Sequence, residues 1–149
     1  QSIVGKKQGD GIEVEGPWGT FLPSFDNTAD AQLWVAGGVG IAPFIAWMEL
    51  AEKHVAAGGT LPPVKLVWSV HAIREEGGVE LVRDMAEKLG IDFVLYESGA
   101  KKCHMKGEEV IEAAHRTMSV CANPQMTRAM KAAWVAVKGS EKGFHSEIY

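Results

Sequence analysis

Apolar residues fall along this chain in short runs of strand length, separated by longer stretches with helical spacing. The runs Leu33–Ala36, Val64–Val70, Phe93–Tyr96 and Met118–Cys121 are strand-like. Near-continuous apolarity of this kind is what a parallel sheet covered on both faces requires. The segments Pro43–Ala57, Val79–Leu89, Glu108–Ala114 and Met126–Val137 space their apolar residues as helices do. Pro43 suits the first turn of its helix, where a missing N–H costs nothing. Gly58-Gly59 followed by Pro62-Pro63 stops that helix, and Gly90 and Gly139 close two others. After Gly139 the terminal "KGFHSEIY" brings aromatic and apolar residues back and reads as a fifth strand. Alternating strands and helices predict an α/β fold: an open parallel five-stranded sheet, helices on both faces, right-handed crossovers.

The first thirty residues differ. "GDGIEVEGPWGTF" holds a turn at Asp10-Gly11 and a short alternating strand at 12–15, stopped by Gly-Pro and Gly-Thr. Residues 1–27 are therefore expected to lie outside the α/β unit, which occupies 28–149.

Composition narrows the function classes. The 149 residues are 46% apolar and 23% charged, ordinary for a globular chain and enough for one core. A net charge of −4 with no basic stripe argues against a nucleic-acid surface. No apolar run approaches the roughly twenty residues that span a bilayer, and the first residues carry no secretory pattern. Cys103 and Cys121 cannot make a disulfide framework, which points to a reducing, cytoplasmic setting.

The chemistry concentrates in "LWVAGGVGIAPF". Gly38-x-Gly40 after a buried strand and before a helix aims backbone N–H groups and a helix N-terminus at one point, an anion seat suited to a pyrophosphate. The same glycines also serve a purely packing role, letting strand and helix approach closely. Pro43 replaces the third glycine of the usual dinucleotide fingerprint, and no Walker lysine follows.

"GPWGTF", "LWVAGGVGIAPF", "VCANPQM" and a terminal "FHSEIY" occur in order, and together they resemble the nicotinamide-nucleotide domain of the ferredoxin–NADP reductase superfamily. "LWVAGGVGIAPFIAW" is most similar to the ferric-reductase and NADPH-oxidase-type branch; "CANPQM" is closer to soluble flavodoxin and ferredoxin reductases. The resemblance implies that Gly37, Gly38, Val39, Gly40, Ile41, Ala42 and Pro43 receive the pyrophosphate of NADPH or NADH. It implies that Cys121 lies by the reacting carbon of nicotinamide, with Asn123, Pro124 and Met126 lining the same seat. Ala122 stands where the family usually has glycine. Glu147 and Tyr149 match the family's acidic and aromatic positions, the ring stacking on a flavin until nicotinamide displaces it. On residue type alone, Cys121 reads equally as a small buried hydrophobe and Tyr149 as a core plug or exposed end.

Selectivity for a 2′-phosphate is expected in the loops after Val70 and Tyr96, where Ser98, Lys101 and Lys102 are the candidates and Arg74 is followed by Glu75 and Glu76. The family holds FAD through an Arg-x-Tyr-Ser/Thr segment in a preceding barrel, and that pattern is absent here. Residues 1–27 then read as the tail of a flavin barrel and a linker. The expected function is the NAD(P)H-binding module of a flavin oxidoreductase, inactive alone, passing hydride to FAD and then single electrons to iron, haem or an iron–sulfur protein. Its partners would be its own FAD domain and a membrane haem domain or iron–sulfur protein, in the cytoplasm or as the cytoplasmic module of a membrane protein. The alternative is a non-catalytic nucleotide-binding or docking domain with the same fold.

Other chemistries lack their residues. There is no Gly-x-Ser-x-Gly elbow, and the five histidines are scattered without metal spacing. Each reads as solvated or structural, with His145 placed in the terminal motif. Trp18 is the tryptophan least like a core residue.

Overall fold

A computed structural model describes residues 7–9, 11, 21, 25, 28–72, 78–101 and 105–149. Five strands, β1 (Ala31–Gly37), β2 (Val64–Val70), β3 (Asp92–Glu97), β4 (His115–Ala122) and β5 (Phe144–Ile148), form one sheet in the order β3-β2-β1-β4-β5. All four pairings are parallel. The helices are α1 (Ala42–Ala56), α2 (Val79–Leu89), the single turn α3 (Ser98–Lys101) and α4 (Pro124–Lys138). The expected five-stranded parallel sheet is thus present, with β5 at the position read from "KGFHSEIY".

Alternation along each strand splits the core in two. Trp34, Ala36, Leu66, Trp68 and Cys121 face one side and meet Phe44, Trp47 and Met48 of α1 and Val82 and Met85 of α2. Leu33, Val35, Val67, Met118, Val120 and Ala122 face the other and meet Met130, Ala133 and Trp134 of α4. Helices α1 and α2 accompany the walk from β1 out to β3, and α4 accompanies the step from β4 to β5 in the opposite direction on the opposite face. Both sets of crossovers therefore have the same hand. Trp34, Trp47, Trp68 and Trp134 are all at most 1% exposed, and burying a side chain of this size stabilises by roughly 2–3 kcal/mol. Trp34 stacks on Phe44 and meets Trp47 edge-on, at ring separations of 5.3 and 4.3 Å. On the same side, Phe25 lies against Trp47 and His54 of α1.

Element ends follow local rules. Gly90 and Gly139 adopt left-handed backbone, φ 67° and 72°, as C-caps of α2 and α4. Asn123 caps α4 by accepting the Met126 N–H at 2.9 Å, and Pro124 takes the first helical position. One element departs from expectation: Glu108–Ala114 is not a helix. A three-residue 3-10 turn at Gly107–Glu109 gives way to irregular backbone. Val110 and Ile111 are both buried against α4, and β4 already begins at His115, so no second helical turn fits between them. Trp18 and the strand expected at 12–15 lie outside the described residues, as does most of 1–27.

Candidate functional site

The chain runs from β1 outward through β2 to β3, then returns to place β4 on the other side of β1. A reversal of this kind splays the connections after β1 and β4 apart, leaving a crevice at the carboxyl ends of the strands. A cleft of about 340 Å³ opens there, lined by Gly37 and Gly38 at the end of β1, His71 after β2, Ser98 after β3, Met126 on α4, and Tyr149.

Gly38, at φ +48°, turns the chain out of β1 into a 3-10 turn, Gly38–Ile41, which runs directly into α1. The Ala42 N–H is satisfied by the Val39 carbonyl, and Pro43 has no N–H, so the open amides of a helix start lie earlier, in the turn itself. The Gly38 carbonyl is fixed by the Trp68 indole N–H at 2.9 Å. Gly40 is an obligate glycine: a Cβ there would sit 2.0 Å from the Cys121 carbonyl oxygen and 3.0 Å from the Tyr149 ring. At Gly37 a Cβ would lie 3.0 Å from Met126 Sδ and 3.1 Å from Ala122 Cβ. These contacts press the turn onto the end of β4.

Tyr149 follows β5 and folds back over β1, its hydroxyl donating to the Gly37 carbonyl, while the residue as a whole remains 54% exposed. Cys121 lies beneath the turn, 5% exposed. Its register partner in β5 is Glu147. Burial, and then the Glu147 carboxylate, push the thiol above its usual range, so it stays protonated at neutral pH and is no nucleophile. Ala122 faces the opposite side of the sheet, toward α4.

The cleft therefore gathers Gly37, Gly38, Ser98, Asn123, Met126 and Tyr149 among the residues expected from sequence. Gly40 and Cys121 lie immediately below it, and Val39 is exposed at the tip of the turn. Ile41 is buried in the core, Ala42 and Pro43 form the first turn of α1, and Pro124 is exposed at the start of α4. Glu147 and His145 are exposed on β5. Lys101 ends α3; Lys102 and Arg74 lie outside the described residues. Sequence reasoning missed His71, Gln125, Met105, Ala129 and Met130 as lining. Met126, Ala129 and Met130 do carry a signal, the three- and four-residue spacing of one helix face.

A second polar group occupies the opposite end of the sheet. Lys65, at the start of β2, donates to Glu112 at 2.6 Å and lies 3.9 Å from Asp92. The Glu112 N–H donates to His115 Nδ1 at 3.0 Å, and Lys138 donates to the Glu112 and Ala113 carbonyls at 2.9 and 3.0 Å. Burial holds the His115 imidazole below its usual value against the pull of the Glu112 carboxylate, with Lys65 and Lys138 adding to the lowering. The Lys65 hydrogen bond and charge hold Glu112 below its own. These groups satisfy one another.

Among the described residues no cluster of three or more His, Cys, Asp or Glu is arranged to hold a metal, and no helix is long and apolar enough to cross a membrane. No family model and no curated protein matches the sequence. Solved structures do match. A flavohemoglobin from Malassezia yamatoensis with bound FAD and heme aligns at a TM-score of 0.69 and 15% identity, over 83% of this chain and 33% of its own. The flavohem-like FAD/NAD-binding domain of a nitric oxide dioxygenase from Vibrio cholerae O1 biovar El Tor aligns at 0.67 and 17% identity, over 89% of this chain and 56% of its own. The chain thus spans between a third and just over half of these structures. At such identities the likeness is one of fold: residues 31–148 share the five-stranded parallel α/β fold of these structures.

Proposed function

We propose that this chain is the NAD(P)H-binding module of a flavin-dependent oxidoreductase, the flavin being held by a preceding domain of which residues 1–27 are the tail. The observation that carries this is the turn at Gly37–Gly40, pressed onto the end of β4 and opening on a 340 Å³ cleft at the point where strand order reverses. Its backbone amides suit a pyrophosphate, with Asn123, Pro124 and Met126 as the facing wall.

NAD(P)H supplies a hydride, and a flavin divides the pair into single electrons. The residues of this chain bind and orient. Gly40 lets the turn lie against Cys121, so a nicotinamide ring placed over β4 would meet backbone and a neutral thiol. Tyr149 covers this place through its bond to Gly37 and must swing aside for nicotinamide, exchanging one planar ring for another. Glu147, paired with Cys121 across the β4–β5 ladder, would orient the ring's polar edge. The likeness of fold to a flavohemoglobin that carries FAD and heme favours a haem as the electron acceptor, ahead of free iron or an iron–sulfur protein.

Calorimetric titration of the chain with NADH and with NADPH tests the reading. One-to-one binding of at least one of them, at a Kd of about 1 mM or tighter, is expected, corresponding to at least about 4 kcal/mol. Failure of both to bind would refute it.

A further inference from the structure

We infer that His71 determines which nicotinamide nucleotide this module takes, by donating to a phosphate on the adenosine 2′-position, so that NADPH is preferred to NADH. The inference rests on the nucleotide reading above and adds the residue that selects.

Ser98 follows β3 and His71 follows β2, and both line the cleft that begins at Gly37. The two loops are tied together: the Gly99 N–H donates to the His71 carbonyl at 2.9 Å, and the Ser98 hydroxyl donates to the Val70 carbonyl at 3.1 Å. From β1 to β3 is two strand spacings, about 10 Å. A pyrophosphate at the glycine turn would therefore bring its adenosine ribose to His71 and Ser98.

Position 99 cannot supply the cation that a 2′-phosphate needs. A Cβ there would lie 2.6 Å from the His71 carbonyl oxygen, which is backbone and cannot yield cheaply. The same Cβ would lie 3.2 Å from His71 Cε1 and 3.4 Å from Nδ1. The imidazole therefore covers, from the neighbouring strand, the place a side chain at 99 would take, and it is exposed to the cleft. A free 2′-hydroxyl is read by a carboxylate, a 2′-phosphate by N–H and O–H donors. The described polar side chains of the cleft are Ser69, His71, Ser98, Asn123, Gln125 and Tyr149, with no carboxylate among them. Ser98 and Tyr149 already donate to the Val70 and Gly37 carbonyls, so the N–H donors of His71, Asn123 and Gln125 are the ones that suit the phosphate.

The test compares 2′-phospho-ADP-ribose with ADP-ribose by calorimetry. Neither probe carries nicotinamide, so Tyr149 need not move. The wild-type chain should bind the phosphorylated probe about tenfold tighter, as one charge-assisted hydrogen bond predicts. His71→Ala should reduce that preference to within about threefold and leave ADP-ribose affinity within about twofold, while His71→Lys should keep the preference by placing another N–H donor there. Equal binding of the two probes to wild type would overturn the inference and leave the nucleotide site standing. A preference that survives His71→Ala, or that disappears on Lys101→Ser instead, would also overturn it. Binding of neither probe would overturn the nucleotide reading and this inference together.

Discussion

The two ends of the sheet are built oppositely. At the amino ends of the strands Lys65, Asp92, Glu112, His115 and Lys138 pair with one another or with backbone carbonyls. At the carboxyl ends the chain places glycines, a capped helix start and a terminal tyrosine around open space. Polar groups that satisfy each other stabilise the fold and have little left to offer a ligand. A turn made of glycine presents backbone N–H groups without side chains in front of them, which is what an anion requires. The contrast teaches that, on the proposed reading, binding sits where side chains are missing, whereas the paired charges at the other end serve the fold.

The sharpest way to break the comparison is Gly40→Ala. The added methyl would meet the Cys121 carbonyl oxygen at 2.0 Å, so either the turn lifts from β4 or β4 shifts. Loss of about 3 kcal/mol of unfolding free energy in urea is expected, as for severe overpacking, together with loss of nucleotide binding. A cost below about 1 kcal/mol would mean that the turn is not seated on β4.

Tyr149→Ser probes the same end from the ligand's side. Removing the ring that bonds to Gly37 frees the place for nicotinamide. NADPH should bind roughly tenfold tighter, about 1.4 kcal/mol, with ADP-ribose unaffected. Weaker NADPH binding would make Tyr149 a ligand contact and not a cover.

The smallest expected effect lies at the amino end. His115 is held neutral in the fold. As pH falls below the ordinary imidazole value of 6.5, the unfolded chain takes up a proton first. Stability is then full above that value and is lost as pH drops toward the lower folded value. His115→Phe removes the acceptor for the Glu112 N–H and should cost about 1 kcal/mol at pH 8. At pH 5 it should cost less, because the wild-type protein is itself weakened there. A difference between the two proteins that does not change with pH would place the imidazole proton elsewhere.

Most of the architecture was legible in sequence because its strands are buried on both faces and so carry nearly pure apolar runs. β1 and β4 are the plainest cases. β5 is almost wholly exposed beyond Phe144 and was legible only through the return of aromatic residues after Gly139. The segment Glu108–Ala114 misleads for a physical reason. Its composition favours helix, yet Val110 and Ile111 both turn to the core, and an adjacent buried pair outweighs propensity. Around the cleft, short motifs pointed to the glycine turn, Asn123 and Tyr149, whereas for His71 the sequence pointed only to the loop after Val70. Its imidazole lies against the Gly99 backbone, a contact between two strand ends that no sequence spacing records.

The most direct test of the contrast between the two ends follows backbone amide shifts by NMR as NADPH is added to the chain. The account predicts that saturable shifts concentrate at Gly37–Ile41, His71, Ser98–Gly99 and Asn123–Met126, with Lys65, Glu112 and His115 unmoved. Shifts centred on Lys65, Glu112 and His115, with the glycine turn silent, would contradict it.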